Sequence, residues 1–290
     1  MAAPTGDEPR LRNRRLPQGA VFAASMHQDL LLPEFIYPRL KSRRLGTTIH
    51  HILETGSTND DARQLAEQGA PEGTLVLAEE QTQGRGRLGR SWLSERGAGI
   101  YASVLLRPIL KPRDAAVLTL VAAVACSEAI EQACGLRADI KWPNDLLLSG
   151  RKCCGILSEM QSERDDIRYV IVGIGINVNH SVFPAELGHR ATSLRIEGKH
   201  TCSRVALLCE FLRKCELLYD DLQRGNRAAV LQSWVDRSSF AFGKQVTVDL
   251  GRGKKVEGQT AGLSELGNLK VKLADGLVEE VMSGDIVAWR

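Results

Sequence analysis

The sequence predicts an α+β fold: a mixed β-sheet with helices, followed by a small β-barrel. Three observations carry that reading. Strand-like apolar runs alternate with helical ones through most of the chain. From Gly243 onward the period becomes two, with Val246, Val248 and Leu250, and later Leu269, Val271 and Leu273, alternating with polar residues. Asp275-Gly276 and Ser283-Gly284-Asp285 then supply turns between short strands. The boundaries that follow are a flexible tail over 1–44, a catalytic-sized domain over 45–240 and an SH3-like barrel over 241–290.

Residues 1–44 lack sustained periodicity and contain Pro4, Pro9, Pro17, Pro33 and Pro38, so at most a short helix near Asp29–Tyr37 is expected. Thr47–Glu54 reads as a strand. Ser57 and Asp60 match a capping box that opens a helix to about Gln68, and Thr74–Glu80 reads as a second strand. Ile100–Arg107, ending at Pro108, fits a buried strand. Asp114–Cys134, apolar on most of its circumference and stopped by Gly135, is predicted as a core helix. Asp145–Leu148 and Lys152–Glu159 flank Ser149-Gly150 and predict a hairpin, with Tyr169–Val178 as a further buried strand. Helices are expected over Thr201–Gln223 and Arg227–Asp236.

Composition is that of an ordinary globular protein, with 43% hydrophobic and 25% charged residues. A net charge of +3 argues for neither a nucleic-acid nor a membrane partner. Basic residues nevertheless cluster, at Arg10, Arg12, Arg14, Arg15, Arg39, Lys41, Arg43 and Arg44, and again at Arg85, Arg87 and Arg90. Seven cysteines without a CxxC pair point to reduced thiols in the cytoplasm, with Cys209 and Cys215 in a helix core and Cys153 and Cys154 on alternate faces of a strand. No apolar run approaches the roughly 20 residues of a membrane span, and the Arg-rich start has no apolar h-region. An organelle transit peptide is weighed there, and a bland tail or a start codon upstream of Met26 is preferred.

Gly84-Arg85-Gly86-Arg87-Leu88-Gly89 spells G-x-G-x-x-G, the dinucleotide fingerprint. That fingerprint requires a helix to begin inside it. Here Gly97–Tyr101 opens a strand instead, and the reading fails on context. A nucleic-acid patch would need more basic residues interleaved with aromatics, which make up only 5% of the chain. A plain surface loop is disfavoured because three spaced glycines cost backbone entropy. A mobile loop closing over a phosphate-bearing ligand remains, its arginines offering forked donors to phosphate and carboxylate oxygens.

Taken in order, GRGRLGRSW (Gly84–Trp92), KWPND (Lys141–Asp145), RKCCGILSE (Arg151–Glu159) and VGIGINVN (Val172–Asn179) resemble the motifs of biotin–protein ligases over about Gly46–Arg290. The resemblance is to the form without an N-terminal DNA-binding module. It implies a class II aminoacyl-tRNA synthetase/biotin ligase-like catalytic domain. By that resemblance Ser57, Thr58 and Asn59 lie on biotin, Gln81 meets its ureido ring region, and Gly84, Arg85, Gly86 and Arg87 wrap its tail and the phosphates. Lys152 and Gly155 belong to the same pocket, and Lys152 reaches the carboxylate and phosphate region. Arg85, Arg87, Trp92, Asn144 and Asn177 are implied in the ATP or adenylate site, with Lys141 and Asp145 beside the nucleotide. Arg87, Lys152, Lys141 and Asp145 are the implied catalytic set. Ser57 is open to capping as well as ligand contact, Asn144 to holding a turn, and Trp92 and Trp142 to core packing.

The implied reaction joins biotin to ATP as biotinyl-5′-AMP with loss of pyrophosphate, then moves biotin to a lysine of a carrier protein, with the biotin carboxyl carrier domain of acetyl-CoA carboxylase as the usual acceptor. Mg²⁺ is expected to arrive with ATP, since no carboxylate cluster marks a protein-held metal cage. The alternatives are a lipoate or octanoate ligase and, from another class, a biotin-responsive transcriptional regulator. Residues 1–44 lack the patterned core of a helix-turn-helix, so no operator binding is expected. Pairing of subunits through a sheet edge is left open.

Overall fold

A computed structural model of the chain describes residues 29–290. Arg10, Arg12, Arg14, Arg15 and most of the expected tail lie outside the described residues. The main sheet has seven strands, β1 Ile49–Thr55, β2 Leu75–Gln81, β3 Gly99–Leu106, β4 Asp139–Lys141, β5 Asp145–Leu148, β6 Arg151–Glu163 and β7 Asp166–Asn177. Their spatial order is β1-β2-β3-β7-β6-β5-β4, with β1 and β2 parallel and every other neighbour antiparallel. The helices are α1 Pro33–Ile36, α2 Thr58–Glu67, α3 Val117–Cys134, α4 Leu194–Gly198, α5 Arg204–Gln223 and α6 Arg227–Val235.

Strand periodicity divides the sheet into two faces. Leu75, Leu77, Ile100, Ala102 and Val104 pack on the helical layer that contains α3 and α5. Val76, Leu105 and Ile171 point the other way and meet Ala62 and Ala66 of α2 in a smaller cluster. That second face carries the site. The run Pro112–Cys134 proves long and apolar enough to cross a membrane, more than the sequence reading allowed, but α3 is the core helix, with most of its side chains buried within the protein. Gly135, at φ 68°, stops it as expected.

Two expectations need correction. Asp29–Arg44 is not a flexible tail. Leu31, Ile36 and Leu45 are fully buried, and Glu216 on α5 accepts from the backbone N–H groups of Arg43, Arg44 and Leu45 at 2.7, 2.8 and 2.9 Å. A strap held by backbone amides and a few apolar anchors needs no periodicity, so proline-rich composition concealed it. The second correction concerns Cys153 and Cys154, which do not alternate between faces in a regular strand. Leu146 pairs with Cys154 and Leu147 with Lys152, so the register shifts at Cys153, and both thiols are buried. All seven cysteines are free and buried.

The C-terminal unit comprises β8 Phe242–Gly251, β9 Lys254–Leu263, β10 Leu269–Lys272, β11 Val278–Val281 and β12 Asp285–Trp289. These form an antiparallel sheet in the order β11-β10-β9-β8-β12, bent by bulges in β8, β9 and β12 into the small SH3-like barrel. Its apolar residues Val246, Val248, Leu269 and Ile286 join the same core as α3 and α6. Trp142 is core, its Nε1 donating to the Gly267 carbonyl across the junction at 3.2 Å.

Candidate active site

Register places the floor of the site. Tyr101, Gly175, Gly155, Asp145 and Lys141 stand side by side on β3, β7, β6, β5 and β4, one residue per strand. The next row holds Ser103, Gly173 and Leu157. Glycine at the middle of each row leaves a trough where side chains would otherwise stand. A Cβ on Gly175 would lie 2.5 Å from the Trp92 indole, and one on Gly173 would lie 2.2 Å from Asn59 Oδ1. Trp92 therefore rests on bare backbone, and its buried Nε1 finds no acceptor among the described residues.

The N-terminus of α2 closes one end of this trough. Ser57 is its N-cap residue in extended conformation, but its side chain makes no capping bond, so the expected capping box does not form. Asp60 faces Arg85 instead, with forked contacts of 2.7 and 2.8 Å. Gln81 Oε1 accepts from the backbone N–H and the hydroxyl of Thr58 at 2.9 and 3.1 Å, and its Nε2 donates to Ser94 Oγ. Asn59 is braced by Ser103 Oγ at 2.6 Å and donates to Glu159 Oε2 at 2.6 Å. These buried polar groups rigidify one another.

A cationic cluster closes the other end. Asp145 lies 2.5 Å from Lys152 Nζ and 3.2 Å from Lys141 Nζ. Burial pushes the Asp145 carboxyl up, but the two ammonium groups outweigh it and hold its pKa below the ordinary carboxylate value. Lys152 and Gly155 would fall on opposite faces of a regular strand, because they are an odd number of residues apart. The register shift at Cys153 brings the Lys152 Cε to 3.0 Å from where a Gly155 Cβ would stand. The bulge thus delivers the lysine to the trough.

Gly84–Trp92 forms the roof. Gly86 N donates to Arg90 O at 2.7 Å and Trp92 N to Gly84 O at 2.8 Å, giving a folded loop with a short 3₁₀ turn over Arg87–Gly89. A strand, β3, follows it, which bears out the rejection of the dinucleotide reading. Roof, trough and ends surround an open cleft.

Of the residues singled out from the sequence, Ser57, Thr58, Asn59, Gln81, Arg85, Gly86, Arg87, Trp92, Asn144, Asp145, Lys152 and Gly155 line this cleft. Three stand back from it. Gly84 packs behind the roof, where a Cβ would meet Trp92 O at 2.5 Å. Lys141 touches Asp145 but is otherwise turned to the barrel, donating to Ile286 O at 3.2 Å and lying 5.0 Å from the Trp289 ring. Asn177 is buried and donates to Thr192 O at 3.1 Å. Asn144 lines the cleft yet also acts as a strut, with Nδ2 bound to Ile156 O at 2.7 Å. Sequence reasoning missed Leu157, Gly173, Ile174, Gly175, Arg90 and Asp285 as lining residues. Glycines at period two inside a β-branched run were the available signal for Gly173 and Gly175. Nothing local marked Asp285.

Residues 54–177 match the Biotin/lipoate A/B protein ligase family, and residues 241–289 match the Biotin protein ligase C terminal domain. The chain is 38% identical over 253 residues to the bifunctional ligase/repressor BirA of Bacillus subtilis, covering 85% of this chain and 76% of that one. It belongs to the biotin protein ligase family. The biotin–[acetyl-CoA-carboxylase] ligase of Mycobacterium tuberculosis is 32% identical over 273 residues, covering 91% of this chain and 99% of that one. Among solved structures, the biotin protein ligase of Aquifex aeolicus in complex with biotin and ATP superposes with a TM-score of 0.72 at 31% identity, over 84% of this chain and 99% of that chain. In this biotin protein ligase, therefore, the α+β fold with an SH3-like C-terminal barrel is the family's own, and the cleft lies within the part that both comparisons cover.

Proposed function

We propose that this enzyme activates biotin with ATP as biotinyl-5′-AMP and transfers it to a lysine of a biotin carboxyl carrier protein of the acetyl-CoA carboxylase type. One observation carries the reading: a glycine-floored trough, polar at one end and cationic at the other, lies beneath an arginine-bearing roof. An apolar bicyclic acid with a ureido ring fits that polarity. Ser57, Thr58 and Gln81 offer donors and acceptors to the ring, the glycine floor takes the apolar body, and Lys152 meets the carboxylate.

In the first step a biotin carboxylate oxygen bonds to the α-phosphorus of ATP and pyrophosphate leaves. Both partners are anions, so cations must bring them together. At 4 Å and an effective dielectric of 20, each unit charge contributes on the order of 4 kcal/mol. Lys152 and Arg87 are proposed to supply it, with Lys141 holding Asp145 in place. Mg²⁺ is expected to ride on the triphosphate and neutralise part of its charge. Among the described residues no group of three or more His, Cys, Asp or Glu could hold a metal ion, and Asp145 and Asp285 are each engaged by two cationic side chains.

In the second step a lysine amine of the acceptor attacks the acyl carbon, AMP leaves with the bonding electrons, and the amine loses a proton. The depressed pKa makes Asp145 a weak base, so its geometry supports orienting the incoming amine rather than deprotonating it. Beyond Gly155 the β5 side of β6 has no strand partner among the described residues, and the groove along Ile156–Met160 meets the cleft at Arg87 and Leu157. That groove gives the acceptor a path to the adenylate.

The lipoate or octanoate reading is favoured only by the breadth of the family that residues 54–177 match. Intact mass measurement of a carrier domain incubated with enzyme, biotin and MgATP tests the choice. One added biotinyl group is the expected result; modification with lipoate and not with biotin would overturn it. Lys152→Ala should abolish pyrophosphate release, and Arg87→Gly should speed escape of biotinyl-AMP.

A further inference from the structure

Lys152 sits where β6 changes partners. Pairing of β6 with β7 begins at Cys154, opposite Ile176. At Lys152 a different stretch of chain lies along the strand, the segment 190–192, which forms a parallel bridge through Ala191. Both backbone groups of Lys152 go to it: the N–H donates to Arg190 O at 2.8 Å, and the carbonyl accepts from Thr192 N at 2.9 Å. On the β5 side Lys152 faces Leu147, next to the register shift at Cys153. The lysine that closes the cleft is therefore held by a short segment outside the regular strands of the sheet.

One carboxylate fastens that segment to the hairpin. Glu197 Oε1 on α4 accepts from Thr192 Oγ1 and from Arg151 Nη2, each at 2.6 Å, and its Oε2 accepts from Ser149 Oγ at 2.7 Å. Thr192 belongs to the segment, whereas Ser149 and Arg151 belong to the β5–β6 hairpin, so these bonds close a loop around Lys152. Thr192 is fully buried. Burial pushes the Glu197 carboxyl up, but the two hydroxyls and the Arg151 guanidinium outweigh it and hold its pKa below the ordinary carboxylate value. α4 is itself anchored, with Ser193 Oγ accepting from Ile196 N at 3.1 Å and donating to His180 O at 2.6 Å. Glu197 stands outside the lining of the cleft.

We propose that Glu197 is a positioning residue: it fixes the backbone of Lys152 and thereby sets the ammonium group at the cationic end of the trough. The inference rests on the reading of Lys152 as the group that meets the carboxylate of biotin. A long side chain reaches a ligand accurately only when its own backbone is held by the shell behind it. Without the Glu197 carboxylate, segment 190–192 stays bonded to Lys152, but both lose their tie to Ser149 and Arg151.

Isothermal titration of the full chain, without nucleotide, tests this with two ligands: biotin, and its alcohol analogue in which CH2OH replaces the carboxylate. Glu197→Ala should weaken biotin binding by about ten-fold and binding of the alcohol by less than about two-fold. Glu197→Gln keeps an oxygen for Arg151 and Thr192 and an amide for Ser149, so it should restore most of the biotin affinity. Thr192→Val removes one hydroxyl and no charge, and should lower the preference for biotin over the alcohol by about three-fold. In a Lys152→Ala background Glu197→Ala should change neither affinity further. Unchanged biotin affinity in Glu197→Ala would overturn the proposal. So would an equal loss for both ligands, which would mean that the cleft as a whole had loosened, or an undiminished effect in the Lys152→Ala background. The proposed function fails differently: Lys152→Ala would then leave the preference for biotin over the alcohol intact.

Discussion

Single atoms decide much of this site. Gly175 is required by proximity, since a Cβ there would press on the Trp92 indole at 2.5 Å. Overpacking of this kind costs about 1–3 kcal/mol, so Gly175→Ala should weaken biotin binding by roughly ten- to hundred-fold. Isothermal titration checks the affinity, and a melting temperature close to the parent's would localise the damage to the cleft. Asp145 makes a second prediction. Its pKa is depressed by Lys152 and Lys141, so the carboxylate stays ionised throughout the neutral range and contributes stability above its unfolded value, near 3.9. That contribution is lost only as pH falls through the lower, folded-state value. Asp145→Asn should therefore leave the position of any activity limb between pH 6 and 8 unmoved, which a pH–rate profile of biotin transfer from pre-formed biotinyl-AMP to the carrier would show; a displaced limb would restore Asp145 as the base.

At the level of elements, one buried ion pair ties strap, sheet and helix together. Arg204 at the start of α5 donates to Glu79 on β2 at 2.7 Å and to the Asp29 carbonyl at 2.8 Å, while Leu31 N donates to Glu79 Oε1 at 2.9 Å. Glu79 and Arg204 are each 2% exposed. Burial pushes the Glu79 carboxyl up, but Arg204 and the Leu31 amide more than offset it, and its pKa is lowered. Arg204→Met leaves that carboxylate buried without its guanidinium partner, held only by Leu31 N–H and His51, and should cost about 3–5 kcal/mol, measured by urea denaturation. In the parent the stabilisation from Glu79 should persist above its unfolded value, near 4.3, and fade as pH drops below it. Most elements were legible in advance. The Ser149-Gly150 hairpin reads from its turn, and the residues indeed sit at φ 49° and 74°. The helices read from their period and stops. The strap over Asp29–Leu45 and the bulge at Cys153 were not legible, because both are set by contacts with elements far away in sequence.

Across the whole molecule, the barrel and the main sheet share one core. Val246, Val248 and Ile286 belong to the cluster that surrounds α3, and a Cβ on Gly267 would lie 2.7 Å from Leu120 Cδ1. Trp142 Nε1 and Lys141 Nζ both donate to barrel carbonyls. Two separate period patterns in the sequence suggested two units; their packing makes them thermodynamically one. A single calorimetric transition, with calorimetric and van't Hoff enthalpies equal, is the expected result, and two resolved transitions would refute it.

Local information was enough for the order of elements, the family and most lining residues. Turn glycines, helix stops, alternation and the spacing of GRGRLGRSW and KWPND are all properties of short stretches. Tertiary structure alone decided which of those residues share the trough. It turned Lys141 toward the barrel, withdrew Asn177 to a buried carbonyl, and brought Asp285 from the far end of the chain to the roof arginines. The physical reason lies in register and charge. A one-residue shift at Cys153 selects the face that Lys152 occupies, and a buried carboxylate draws whichever arginines the fold sets beside it.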